Sequence, residues 1–168
     1  MRRFRSLFTA TAICVVFLGT VYANAEDQGQ QCYTLASLRG SYTIIGHYGA
    51  NLAIGLVRAT LDGKGNFSST FIVNEPDPAS TTGDRKLVSG SQTGTYTINC
   101  DGTGVITRVV TLSGGGTGTV VADLVITRAV RSEGGQLIAT EVVDAQRTPS
   151  FIVPGGIFLT RTYTRLPD

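Results

Sequence analysis

The sequence predicts an all-β fold, an eight-stranded antiparallel up-and-down barrel, on three observations. First, the chain has 168 residues, 42% of them hydrophobic and only 15% charged, and its Thr, Val and Ile residues come in runs. Such residues favour pleated strands and argue against disorder. Second, turn signals divide the runs: Asp62-Gly63-Lys64-Gly65, Asp101-Gly102-Thr103-Gly104, Gly114-Gly115-Gly116 and Glu133-Gly134-Gly135. Third, the runs are mostly joined by short connections, which makes a meander, and closing a meander removes its exposed edges. A β-sandwich is the alternative.

Residues 1–25 read as a cleaved signal peptide. Arg2, Arg3 and Arg5 form a basic start, Leu7 to Val21 are largely apolar, and Ala23-Asn24-Ala25 is a small-residue cleavage site. The apolar run is interrupted by Thr and Gly and is shorter than the ~20 residues that a membrane anchor needs. Cys14 lies inside it without a lipobox before it, so no lipid anchor is expected. The predicted destination is the periplasm or the exterior. The single domain is then 26–168. The formal charge of +2 belongs to the leader, because without its three arginines the chain stands at −1.

Cys32 and Cys100 remain after cleavage. An even count in an oxidising compartment predicts one disulfide, contributing about 4 kcal/mol through the loop that it closes. Tyr33 to Leu38 reads as weakly helical. Strands are expected over 40–48, 52–61, 66–73, 86–99, 104–112, 119–130, 136–145 and 157–166. The long connections are 74–85, with Pro76 and Pro78, and 146–156, with Pro149 and Pro154. In the sixth strand Val120, Ala122, Leu124 and Ile126 share one face, and Val121, Asp123, Val125 and Thr127 the other. The second face is partly apolar too, which points to a covering partner; a homo-oligomer is one candidate.

The order Leu38-Arg39-Gly40-Ser41-Tyr42, then Leu61-Asp62-Gly63-Lys64-Gly65-Asn66, then Gly94-Thr95-Tyr96-Thr97-Ile98-Asn99-Cys100-Asp101-Gly102-Thr103-Gly104 resembles a group of small exported bacterial proteins. That group carries an "LxGxY … DGxGN … GTYTVNxDCTG" pattern. Cys100 precedes Asp101 here, where the pattern has Asp before Cys. The resemblance covers residues 38–104. It implies a barrel similar to the allene oxide cyclase barrel or to lipocalins, and it carries no activity.

Several chemistries are excluded or weakly supported. One His and three Cys do not make a zinc site of usual composition, and no metal or cofactor is implied. Dispersed Lys and Arg are not a nucleic-acid footprint. Membrane insertion of the mature chain is not expected, since polar residues fall on both strand parities. His47 has no serine elbow to serve and reads as a surface imidazole. Glu141 and Asp144 are three apart, hence on opposite strand faces.

Four arginines form the candidate ligand site. Arg58, Arg108 and Arg128 share strand parity with Ile54 and Leu56, with Ile106 and Val110, and with Leu124 and Ile126. An alternating meander brings them to one end together with Arg165. If that face is interior, they line a basic mouth for a carboxylate or phosphate head group; the bland reading is arginines snorkelling to water. At the opposite end His47, Tyr48 and Phe151 mark a competing mouth, where Phe151-Ile152-Val153 serves as a lid or plugs the barrel.

Three functions follow as expectations. The first is a non-catalytic binder of a small hydrophobic or amphiphilic anionic ligand. The second is a structural or interaction domain without a pocket, favoured by a filled interior and an exposed apolar face. The third is a cyclase- or isomerase-like enzyme, which needs a pocket with polar groups of shifted pKa.

Overall fold

A computed structural model describes residues 32–49, 52–153 and 155–167. The expected signal peptide lies outside these residues. Eight antiparallel strands follow one another around a closed barrel: β1 (Gly40–Tyr48), β2 (Ala53–Leu61), β3 (Asn66–Pro76), β4 (Arg85–Ile98), β5 (Thr103–Leu112), β6 (Thr117–Arg131), β7 (Leu137–Gln146) and β8 (Leu159–Arg165). Pairing of β1 with β8, from Tyr42 opposite Arg165 to Tyr48 opposite Leu159, closes the sheet and rules out the sandwich. Among the described residues no helix is long and apolar enough to cross a membrane.

The strands lie where the turn signals put them, with one clear extension. β3 runs on through Asn74, Glu75 and Pro76, and these pair with Leu87, Lys86 and Arg85. Pro76 is tolerated there because it ends the strand. β6 carries a bulge between Ile126 and Ala129, which shifts the register against β7.

Both ends are covered. At one end the segment before β1 forms a 3-10 turn, Leu35–Leu38, which buries Ser37 and Leu38. Cys32 is bonded to Cys100 in the β4–β5 turn, 68 positions along the chain. The Tyr33 N–H donates to the Cys100 carbonyl at 3.1 Å. The Tyr96 hydroxyl donates to the Leu35 carbonyl at 3.2 Å and accepts from the Gly63 N–H at 3.0 Å. Gly63 and Gly102 have φ of 74° and 86°, and a Cβ on them would come within 2.8 Å of Arg39 and 3.0 Å of the Tyr33 ring. The turns are therefore glycine both for their backbone and for the room that the cap takes.

At the other end the β7–β8 connection folds inward. Ile152 and Val153 are buried, and their N–H groups donate to the Ser150 hydroxyl at 3.1 Å each. The apolar run is a plug in the barrel.

Candidate functional site

Inward-facing side chains follow strand parity, and they include charges. Asp144 on β7 stands opposite Arg161 on β8, and Val142 opposite Tyr163. Arg108 reaches the same point from β5. The Arg161 Nη1 donates to Asp144 Oδ1 at 2.9 Å. Arg108 Nη2 and the Tyr163 hydroxyl both donate to Asp144 Oδ2, and Arg108 Nη2 also contacts the Tyr163 hydroxyl. Arg108 is 0% exposed, Asp144 1% and Arg161 4%. One carboxylate thus holds two guanidinium groups inside the barrel.

Burial alone would raise the Asp144 carboxyl, but Arg108 and Arg161 outweigh it and hold the group below the usual carboxylate range. Burial and the neighbouring Arg108 charge lower Arg161, while Asp144 opposes them. Burial raises the Tyr163 phenol. The carboxylate is therefore ionised and the phenol neutral, which suits donation from the phenol to the carboxylate.

Among the described residues, Arg108 Nε and Nη1 have no hydrogen-bond acceptor. Aromatic faces flank the guanidinium instead: its carbon lies 5.3 Å from the Phe67 ring centre and 5.9 Å from that of Tyr163. Tyr163 in turn meets Tyr42 edge-to-face at 6.5 Å, and the Tyr42 hydroxyl donates to the Ala139 carbonyl at 3.1 Å. With no exposed surface on Arg108, no water-sized space touches it.

Nearer the plugged end are Tyr48, Glu75 and Gln92, all buried. Burial pushes the Tyr48 phenol up to about 12. Glu75 pairs with the half-exposed Lys86 at 3.4 Å.

The four arginines predicted to line a basic mouth are not brought together. Arg58 shares a face with Ile54 and Leu56 as expected, but that face is the outer wall, and β2 turns Ala53, Gly55, Val57, Ala59 and Leu61 inward. Small residues suffice there because tyrosine, phenylalanine and arginine from other strands fill the volume. Arg128 is exposed because the β6 bulge turns it out. Arg108 is deep in the interior rather than at a rim. Arg165 remains at the capped end, its guanidinium 5.9 Å from the Tyr42 ring and donating to the Arg39 carbonyl. Of the residues at the competing mouth, His47 is exposed on the outer wall and Tyr48 is sealed inside. Phe151 is 38% exposed and lies against Gly118. Glu141 and Asp144 do occupy opposite faces: Glu141 accepts from the Thr127 hydroxyl at 2.8 Å, away from the interior network.

Sequence reasoning missed the centre of the network. The signal was Leu159-Thr160-Arg161-Thr162-Tyr163-Thr164-Arg165, in which every threonine takes one parity and the arginines and tyrosine take the other.

Outside, Ile45, Leu56 and Ile72 stand opposite one another across β1, β2 and β3. They are 42%, 54% and 44% exposed, and Ile54 and Leu87 extend the apolar surface. A groove of about 690 Å³ crosses this wall past Leu56, Arg58, Thr70 and Ile72.

No family model, curated protein or solved structure matches this chain.

Proposed function

We propose that the protein is an exported, non-catalytic structural or interaction domain that works through its outer wall. The observation that carries this reading is the solid, covered interior around Arg108. A ligand-binding barrel keeps room for its ligand. An active site keeps a place about 3 Å from its groups for a reacting atom. Here the charged groups around Arg108 are engaged with Asp144, with Tyr163 and with aromatic rings, and among the described residues both ends are covered.

The Ile45–Leu56–Ile72 stripe supports contact with another protein surface. A homo-oligomer through this stripe is the simplest assembly, since one patch then serves both subunits. Export is supported by the pattern of residues 1–25 and by the disulfide. A second reading, capture of an amphiphilic anion, is favoured by one feature, the outer groove with Arg58 beside apolar side chains.

Native mass spectrometry of the mature protein from a periplasmic expression host tests this. The reading expects the polypeptide mass less two hydrogens, no adduct, and an oligomer that Leu56→Asp converts to monomer. A reproducible adduct that is lost on denaturation and in Arg58→Ala would replace it with the ligand reading. A clean monomer would sink self-association.

A further inference from the structure

The cap is fastened differently from everything else in the molecule. All eight strand pairings, including the β1–β8 closure, are made without it. Residues 32–39 belong to no strand, and covalent bonds fasten them to the barrel at two points. One is the chain itself, where Arg39 leads into β1. The other is the Cys32–Cys100 bond to the β4–β5 turn. Both cysteines are exposed. Beneath the cap the lower ends of β2 and β4 present Leu61 and Tyr96, which are 3% exposed each.

We propose that the Cys32–Cys100 disulfide is a redox latch, and that its reduction frees the cap and opens an apolar, tyrosine-lined mouth at this end of the barrel. The inference goes beyond the proposed function, which concerns the oxidised, covered state. The reductant is a dithiol. Its thiolate attacks one sulfur of the exposed bond to form a mixed disulfide, and its second thiolate displaces the remaining cysteine. Two electrons and two protons pass to Cys32 and Cys100, and the dithiol leaves as a disulfide. Access favours this step, because neither sulfur is enclosed by the core.

Once the bond is cut, residues 32–39 are joined covalently to the barrel only where Arg39 enters β1. Their remaining ties to the barrel are the buried Leu38 and Ser37, the packing of Tyr33 and Leu35 on the core, and hydrogen bonds from the Tyr33 N–H to the Cys100 carbonyl, the Tyr96 hydroxyl to the Leu35 carbonyl and Arg165 to the Arg39 carbonyl. Within the segment the Ser37 N–H donates to Thr34 and the Arg39 N–H to Ala36. Segments outside the ladders open locally at lower cost than the ladders themselves.

The test is hydrogen exchange on folded protein, oxidised and after reduction with dithiothreitol, with a thiol count of two confirming reduction. The amides of Tyr33, Ser37 and Arg39 are expected to exchange about ten-fold faster or more when reduced. In the reduced protein those of Ile44 and Val57 in the β1–β2 ladder remain far better protected than the cap amides, even after losing what the bond gives to global stability. Anilinonaphthalene sulfonate fluorescence rises with reduction and falls on reoxidation. Unchanged exchange at Tyr33, Ser37 and Arg39 in fully reduced protein overturns the latch. So does equal protection of cap and ladder amides in the reduced protein, which would mean that they open together and that the bond is a global staple. Faster cap exchange without a dye signal overturns the mouth. Cys32→Ser repeats the comparison without reductant; if that variant does not fold, the reduced wild-type chain still decides.

Discussion

The inside of this barrel is mainly apolar, but a few positions inside and outside are inverted relative to a simple oil-drop. The interior holds Arg108, Arg161, Asp144 and Glu75, while Ile54, Leu56 and Leu87 are more than half exposed on the wall. The difference teaches that the two surfaces are held by different physics. The wall needs only strand-forming residues, and β-branched and aliphatic side chains supply that on either face. The interior of a closed barrel must be filled, and here a few long charged side chains help the aromatic and aliphatic ones to fill it, at the cost of desolvating charges that then depend on one another.

The largest expected effect follows from that dependence. Asp144→Asn leaves Arg108 and Arg161 buried as like charges without their carboxylate. Breaking a buried pair in this way costs about 3–5 kcal/mol, measurable by urea denaturation. A loss below about 1 kcal/mol would mean that the interior admits water to the arginines.

Acid should reveal the same residue. The folded state holds Asp144 below the usual carboxylate range, so its contribution is present above the unfolded value of about 3.9 and is lost as pH falls through the folded value. The acid limb of the wild-type stability curve should therefore shrink in Asp144→Asn. At the alkaline side the sign reverses. Tyr48 is pushed up to about 12, so its contribution is complete below about 10 and fades as pH rises toward the folded value. Tyr48→Phe should flatten that limb.

Smaller effects sharpen the comparison. Tyr163→Phe removes one donor from Asp144, for about 1–3 kcal/mol. The adjacent pair Val57→Ala and Leu56→Ala compares one inward and one outward position on β2. The first should cost about 1–2 kcal/mol, and the second stay within about 0.5 kcal/mol in the monomer. Equal losses at both positions would remove the distinction between wall and interior on this strand.

The inversion also explains what was legible in the sequence. Strand order was readable because Asp62-Gly63 and Asp101-Gly102 announce hairpins whatever the faces do. The Cys32–Cys100 bond followed from an even count. Parity correctly grouped Arg58 with Ile54 and Leu56 but left open which side that group takes, and it takes the outer wall. On β2 the small residues Gly55 and Ala59 are interior because Tyr48 and other rings lean over them, and no local pattern records that. Arg128 failed for another reason: the bulge after Ile126 changes parity in mid-strand. The role of Asp144 was not legible because its partners lie 36 and 17 positions away: Arg161 is its cross-strand neighbour on β8, and Arg108 reaches it across the interior from β5.

The most direct test of a sealed, charged interior is exchange at the arginine side chains themselves. In nitrogen–proton NMR spectra the Arg108 Nε–H should persist after transfer to heavy water, while that of Arg58 on the wall vanishes at once. If the Arg108 signal disappears as fast as that of Arg58, water reaches the centre of the barrel, and the account of a solid interior is wrong.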